Sequence, residues 1–510
     1  MANPLYDALL ASAQNDDNIF LHLPDGSTVS YAQFNKDTAK AANLLKDIGL
    51  VAGDRLALQV EKSQSALSIY AACLMSGVVF LPLNTAYTAQ EISYFLNDAT
   101  PCLFVCDPAS FKAYEPLAKA IGAECLTLSG KGEGTFQKRV QTMGDHFVAA
   151  ERDSDDVAAL LYTSGTTGRS KGAMLTHNNL LSNAQALCDL WRITKDDTLL
   201  HALPIFHAHG LFVALNTTLL ARAKMIFLPG FSIDLVLDAL PKASTMMGVP
   251  TFYTRLLDEP RFSADLVSNM RLFVSGSAPL LAETHEAFEQ RTGHRILERY
   301  GMTETSMNTS NPYEGERRAG TVGFPLPGVH VRITDGAQGA EVAEGEIGMV
   351  EVKGPNVFKG YWNMPEKTRE ELRPNGYLIT GDLGRIDEDG YLHIVGRNKD
   401  LVISGGYNVY PKEVELVIDK EDWVRESAVF GVPHPDFGEA VVAVTVVEAN
   451  ASSDKEGLKT RLSGQLANYK RPKAVFEVDE LPRNSMGKVQ KNVLRNTYAD
   501  LFAKPEAVGM

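Results

Sequence analysis

The sequence predicts an α/β protein of more than one domain, and three observations carry that expectation. At 510 residues the chain exceeds what a single hydrophobic core usually supports. Apolar runs such as Arg55 to Val60 and Leu103 to Cys106 alternate with helix-period segments such as Ala32 to Leu45 and Gln90 to Leu96. That alternation is the pattern of βα repeats, which build layered and largely parallel sheets in a large N-terminal domain. From Val329 the texture changes to short strands broken by glycine, Val329 to Ile333, Ile347 to Val352 and Tyr391 to Val395, which predicts a β-rich subdomain.

The elements follow in chain order. Ala66 to Leu83 is nearly free of charge and approaches membrane-spanning length, but Gly77, Pro82 and the strand-like Val78 to Leu81 divide it into a buried helix and a buried strand. Cys73, Cys102, Cys106, Cys125 and Cys188 show no metal-ligand spacing and are expected as free thiols. Val157 to Leu161 and Ala173 to His177 read as strands flanking a polar loop. His294 to Leu297 is strand-like and leads into a polar segment beginning at Tyr300. A boundary is expected near Gly396 to Asp400, a polar run between two apolar ones.

The formal charge of −14 gives no long-range attraction for nucleic acid or for an anionic membrane, so neither is expected as a partner. An anionic substrate must then be held by locally placed Lys and Arg. The first residues carry no basic n-region or apolar h-region, so the cytoplasm is the expected compartment.

The run Tyr162 to Gly172 reads as a phosphate grip. Gly165 and Gly168 let backbone N–H groups approach an anion, Thr163, Ser164, Thr166 and Thr167 add hydroxyl donors, and Lys171 adds a point charge. It is not a Walker loop, which needs four residues between its glycines and then Gly-Lys-Ser/Thr. Tyr300-Gly301-Met302-Thr303-Glu304-Thr305 sets an aromatic, a hydroxyl and a carboxylate close together, which suits a nucleotide. In that reading Tyr300 stacks on adenine, Thr303 bonds the α-phosphate and Glu304 holds Mg²⁺. Asp382, in Thr380-Gly381-Asp382-Leu383, offers a carboxylate at a turn for ribose hydroxyls.

Gly396-Arg397-Asn398-Lys399-Asp400, Ser404-Gly405-Gly406-Tyr407 and Pro482-Arg483-Asn484-Ser485-Met486-Gly487-Lys488 complete an ordered series of motifs. With them the chain, from Asn18 to Arg495, resembles the AMP-forming acyl-CoA synthetases of the adenylate-forming superfamily. The resemblance implies an adenylation domain over 1–397, a hinge at 398–400 with Lys399 as its pivot, and a small mobile α+β C-terminal domain over 401–510. It implies a reaction in two steps: a carboxylate attacks the α-phosphate of ATP to give acyl-AMP and pyrophosphate, and the thiol of coenzyme A then displaces AMP. Lys488 matches the adenylation lysine, Arg397 the residue contacting ribose and phosphate, and Gly276-Ser277-Ala278 the segment lining the adenine pocket. The loop at Tyr162 would hold the phosphates that leave, with Lys171 as an auxiliary. Ser404-Gly405-Gly406 would approach the pantetheine, with Lys470 and Arg471 near the CoA phosphates.

The acid is read from a second set of residues. Pro204-Ile205-Phe206-His207-Ala208-His209 places two histidines beside an aromatic, and His207 matches the family's gate between acyl site and phosphates. Arg255 and Arg299 suggest a second carboxylate on the substrate, with Ser277 and His207 shaping its pocket. Glu298 to Gly328 and the double-histidine stretch resemble malonyl-CoA synthetases, so malonate is the expected acid and methylmalonate a second candidate, since one methyl is worth only about 1–3 kcal/mol. Partners are then small molecules (malonate, ATP, CoA), and the chain is expected as a monomer or weak dimer. The alternatives are a synthetase for another small acid, an amino-acid or carrier-protein adenylating enzyme, a luciferase-like oxygenase, and a non-catalytic nucleotide-binding protein. An amino-acid pocket would want an acidic group for the α-ammonium, and the His207 and Gly248 segments offer none.

Overall fold

The computed structural model describes residues 3–163, 170–405, 407–449, 451–484 and 487–502. The chain divides into two compact units, Met1–Val331 with Val352–Leu378, and Arg332–Glu351 with Ile379–Met510. Compactness thus divides the chain ahead of the expected hinge at 398–400, because the strand Leu378–Ile386 pairs with Leu392–Arg397 and lies beside Gly348–Lys353.

The first unit is built on two sheets. One runs Phe324–Pro325, Ser306–Ser310, Leu297–Met302, Leu272–Ser275, Thr245–Gly248, Thr198–His201, Lys224–Phe227, Ile19–His22 and Thr28–Ser30 in spatial order. Its interior pairs are parallel and its edges antiparallel. The other runs Gly360–Tyr361, Lys171–Thr176, Val157–Thr163, Val79–Pro82, Arg55–Gln59, Leu103–Cys106 and Glu124–Thr127, again parallel inside and antiparallel at one edge. Parallel strands covered on both faces read as continuous apolar runs, which is why they stand out in the sequence.

The uncharged stretch resolves into the helix Gln64–Ser76 and the strand Val79–Pro82. Ser63 caps the helix by accepting from the N–H of Ala66, and Gly77 ends it in the left-handed region at φ 74°. A side chain at Gly77 would also meet Arg152 Cδ at 2.7 Å, so both conformation and space require glycine there. Among the described residues, no helix is long and apolar enough to cross a membrane.

In the second unit, Val424–His434 and Gly438–Val447 form a long antiparallel pair buried on both faces. Val429, Val441 and Ala443 pack toward the helices Pro411–Ile418 and Lys455–Gln465. Their neighbours Ala428, Phe430, Val442 and Val444 pack the opposite way, with Leu494 of the helix Lys491–Thr497. This period-two division makes the α+β layering. The unit also holds most of the four-stranded sheet His330–Thr334, Gly348–Lys353, Leu378–Ile386 and Leu392–Arg397, the expected β-rich segment.

Candidate active site

The strands Val157–Thr163 and Lys171–Thr176 pair antiparallel, with Thr163 opposite Lys171 at the base of the polar loop. Ser164, Gly165, Thr166, Thr167 and Gly168 lie outside the described residues, as do Gly406, Ser485 and Met486. Lys171 is 8% exposed. Its Nζ lies 2.9 Å from Glu371 Oε1 and donates to the Tyr361 hydroxyl at 3.0 Å. That hydroxyl lies 2.9 Å from Glu304 Oε1 and 2.5 Å from Glu371 Oε2, and having one proton it satisfies one carboxylate at a time. Burial raises the Glu304 carboxyl above its ordinary range. For Glu371 burial acts upward as well, but the hydrogen bonds from Tyr361 and Lys171 outweigh it and its pKa falls.

The polar segment from Tyr300, expected to meet the nucleotide, begins as strand. Tyr300, Gly301 and Met302 continue the strand Leu297–Met302 and are not loop residues; Thr303 and Glu304 form the turn, and Ser306–Ser310 returns antiparallel. The physical reason is a close hairpin that only glycine permits: a Cβ at Gly301 would sit 1.9 Å from the Ser306 carbonyl oxygen. Two buried amides hold the returning strand, Asn183 Nδ2 donating to Met307 O at 2.8 Å and Asn356 Nδ2 to Thr305 O at 2.9 Å.

One residue before Tyr300, Arg299 is 3% exposed, and its Nε and Nη2 find no hydrogen-bond partner among the described residues. Burial pushes its pKa down to about 9, so the guanidinium is still a cation at neutral pH. Gly276 lies against it so closely that a Cβ there would come within 2.3 Å of Arg299 Cζ. Ser277, the next residue, has φ 71°, a left-handed conformation costly for a non-glycine residue, and its Oγ lies 3.3 Å from His209 Nδ1. His209 is buried, and burial, then Arg299, then His207 hold its pKa well below the usual histidine range, so it is neutral. His207 is partly buried, and its Nδ1 accepts from the His209 N–H at 3.5 Å. Ala278 follows, partly exposed.

Arg255 does not join this group. It is exposed on the helix Pro250–Leu257, its guanidinium 5.9 Å above the Phe231 ring, because the helix turns Phe252, Tyr253 and Leu256 inward and leaves position 255 outward.

The second unit gathers another set. Asp382, expected at a turn, lies inside the strand Leu378–Ile386 and is 3% exposed. It faces Arg397 in the strand register, and Arg397 Nε lies 3.0 Å from its Oδ1. Lys488, whose backbone N–H donates to Asn484 Oδ1 at 3.0 Å, lies near the same two residues and near Lys399 and Asp400. Burial first, then Arg397, push the Lys488 amine down to about 8. Lys399 is lowered too, by burial and then by Arg397. With Arg495, which pairs with Asp400 at 2.8 Å, four cations among the described residues share two carboxylates, an arrangement with spare positive charge for an anion.

The residues named for CoA are placed less suggestively. Ser404 is buried in a short strand, and Gly405 sits at φ 59° with Phe437 as its nearest neighbour. Lys470 donates to Glu413 at 2.6 Å. Arg471 donates to the carbonyls of Leu466 and Ser463, satisfying the end of the helix Lys455–Gln465. Both side chains are engaged inside the unit.

No group of three or more His, Cys, Asp or Glu side chains able to hold a metal occurs among the described residues. A phosphate-bound Mg²⁺ does not need one, since it is commonly held by one or two carboxylates together with substrate phosphates. Glu304, a buried carboxylate beside a single hydroxyl, fits that part. Tyr361, Glu371 and His209 are the members of these groups that sequence reasoning did not assign. Glu371 reads as one more charge in a polar helix, and a lone buried histidine has no local signature. His209 was visible only as the second of a pair.

The two sheets, the strand pair that flanks the polar loop and the carboxylate–tyrosine–lysine group fit an adenylate-forming enzyme, and the chain belongs to the AMP-binding enzyme family. That family matches residues 10–362, and its C-terminal domain matches 413–488. Among individual proteins the chain is 34% identical to a malonate–CoA ligase of Arabidopsis thaliana, covering 97% of this chain and 88% of that one. It is 35% identical to the mitochondrial malonate–CoA ligase ACSF3 of Bos taurus, over 89% and 83% of the two chains. Its structure superposes with TM-score 0.97 on ATP-bound MatB of Rhodopseudomonas palustris, at 54% identity, covering 98% of this chain and 100% of that one.

Proposed function

We propose that this protein is an AMP-forming ligase that joins malonate to coenzyme A through a malonyl-AMP intermediate, releasing AMP and pyrophosphate. The observation that carries the choice of acid is Arg299, a buried cation with unpartnered donors between Gly276 and His209. An uncompensated charge in the interior costs several kcal/mol, roughly 3–5 when a partner is removed from a buried pair. A dicarboxylate supplies the missing partner: one carboxylate pairs with Arg299 while the other is activated. A monocarboxylic acid would leave the guanidinium unpaired.

The remaining roles follow from chemistry. A carboxylate is a poor electrophile at pH 7 and must first be joined to a good leaving group, so cationic groups are needed where charge gathers on the α-phosphate. Lys488 takes that role, helped by Arg397, while Asp382 accepts from the ribose hydroxyls and Tyr300 stacks on the adenine. Thr303 donates to the α-phosphate, and the hydroxyls and glycines from Thr163 to Gly168 hold the departing phosphates. Lys171 assists them, and phosphate oxygens compete with Glu371 for its ammonium. Mg²⁺, bound with the nucleotide at Glu304, supplies charge neutralisation to the phosphates. Neutral His209 holds Ser277 in place, and His207 closes the acyl site. Rotation about Lys399 then exchanges the Lys488 turn for the Ser404 to Gly406 segment as the thiol enters.

The five cysteines are free thiols, Cys106 and Cys125 sharing an S–H···S hydrogen bond at 3.9 Å, which suits the reducing cytoplasm as the working compartment. The enzyme is read as a monomer or weak dimer. The deciding experiment measures CoA-dependent pyrophosphate release with acetate, malonate, methylmalonate, succinate and a medium-chain fatty acid. Malonate is expected to give the highest kcat/KM, with methylmalonate second. Preference for a monocarboxylate would overturn the acid while leaving the enzyme class intact.

A further inference from the structure

Outside this machinery the structure holds one amine in an unusual setting. Lys62 follows the strand Arg55–Gln59 of one sheet and reaches the end of the strand Thr198–His201 of the other. Its Nζ lies 2.7 Å from His201 Nδ1, donates to the His201 carbonyl at 2.9 Å, and sits 4.4 Å above the Phe227 ring. Among the described residues it has no carboxylate partner. His201 Nε2 lies 2.9 Å from the carbonyl of Gly210, an acceptor only, so Nε2 carries the proton and Nδ1 turns a lone pair toward the amine.

Lys62 borders a cavity. With Leu58, Leu83, Thr85, Ile205 and Phe206 it lines an open cavity of about 70 Å³, where Glu61 is also exposed at the wall. That is room for roughly five water-sized groups, enough for a short acyl chain. The cavity opens at the carboxyl ends of parallel strands from both sheets, a place where α/β folds bind ligands. Burial holds the Lys62 ammonium well below the usual lysine range.

We propose that Lys62 is an acylation site, and that its acyl donor is the enzyme's own malonyl product. The donor, though not the nucleophile, rests on the function proposed above. Lys62 gives one proton to His201 Nδ1, which releases it to solvent. The neutral nitrogen attacks the thioester carbonyl, a C–N bond forms, the C–S bond breaks, and the departing sulfur takes the second proton as the free thiol. A malonyl-AMP donor would differ in losing AMP from the same carbonyl. The product is a malonamide whose free carboxylate extends from the former amine into the cavity. It leaves a single N–H where the amine had met both His201 Nδ1 and the His201 carbonyl, so His201 loses one of these contacts, and its other nitrogen bonds Gly210 at the start of the wide helical turn His209–Leu215 that carries His209. Acylation at Lys62 therefore loosens the histidine beside Ser277 and lowers turnover as product accumulates.

The test incubates the full-length protein with malonyl-CoA, acetyl-CoA, or ATP plus malonate without CoA, and separately with limiting trinitrobenzenesulfonate, reading each lysine by peptide mass spectrometry. Lys62 is expected to react at least ten-fold faster than the exposed Lys131 and Lys195 with both malonyl-CoA and the sulfonate. His201→Asn should remove that advantage without altering the other two. Lys62→Arg, which keeps a donor for His201, should stay active after malonyl-CoA treatment that inhibits the parent protein. The proposal fails if Lys62 reacts no faster than Lys131, or if stoichiometric malonylation leaves activity whole. Reaction with the sulfonate but with none of the acyl donors would overturn the product as donor. The malonyl-CoA and sulfonate labelling arms require no turnover, so their failure is distinct from failure of malonate in the pyrophosphate assay.

Discussion

Arg299 carries a charge into the interior and leaves two nitrogens without partners among the described residues, a conflict between stability and binding that a substitution can expose. Arg299→Met removes the buried charge while roughly keeping its volume. The ligand-free variant is expected to melt at least as high as the parent, while kcat/KM for malonate falls about 100-fold, in line with the roughly 2–5 kcal/mol cost of truncating one partner of a buried charge pair. Malonate should raise the Tm of the parent but not of the variant, read by thermal unfolding with and without the acid. Lys488 gives a pH signature. Its amine is cationic below about 8 and loses the proton as pH rises through that value, whereas an ordinary lysine would hold it to about 10.4. Because kcat/KM reports the free enzyme, pyrophosphate exchange should lose kcat/KM above about pH 8. A limb remaining flat to pH 10 would show that the amine is not depressed or not required. These residues were visible by different routes. Lys488 and Glu304 sit in contiguous motifs, while Glu371 and His209 belong to the groups only through contacts made by distant segments. Arg299 was the stronger candidate in the sequence because it adjoins Tyr300, while Arg255 fitted a surface helix equally well; the face of a helix turned Arg255 outward and a strand carried Arg299 inward.

Two glycines set the geometry of their elements. Gly276, just past the strand Leu272–Ser275, leaves room for the Arg299 guanidinium, and a methyl at 2.3 Å from Cζ must displace it. Gly276→Ala is expected to raise the malonate KM at least ten-fold, with a smaller effect on ATP, by initial-rate kinetics on both substrates. At Gly301 the methyl would meet a backbone oxygen at 1.9 Å, which cannot swing aside as a side chain can. Gly301→Ala should open the hairpin that carries Tyr300 and Thr303, lowering Tm and weakening ATP binding together, by thermal unfolding and nucleotide titration. The hairpin also marks a limit of sequence reading. An apolar run made Leu297 legible as strand, but polar residues from Arg299 onward continue it because buried asparagine amides and a close backbone approach replace the usual apolar cue. Asp382 is a similar case, since a Thr-Gly-Asp run resembles a turn until the partner strand is in place.

At the scale of the whole molecule, the two half-reactions are expected to separate. Lys488→Ala should abolish malonyl-AMP formation yet spare thioester formation from supplied malonyl-AMP, and equal loss of both would remove its proposed role. Lys399→Pro, which stiffens the proposed pivot, should do the reverse: pyrophosphate exchange stays near the parent rate while CoA-dependent turnover falls at least ten-fold. The sequence by itself determined the class of fold, the order of the nucleotide motifs and the family they belong to, because glycines, hydroxyls and charges in contiguous runs impose local geometry wherever they occur. Only the tertiary structure decided which arginine is buried, which histidine meets Ser277, that Glu371 holds Lys171, and that Lys62 reaches across two sheets to His201. Those contacts join residues far apart in the chain. Their energies come from desolvation and close approach, quantities that exist only once the chain has folded.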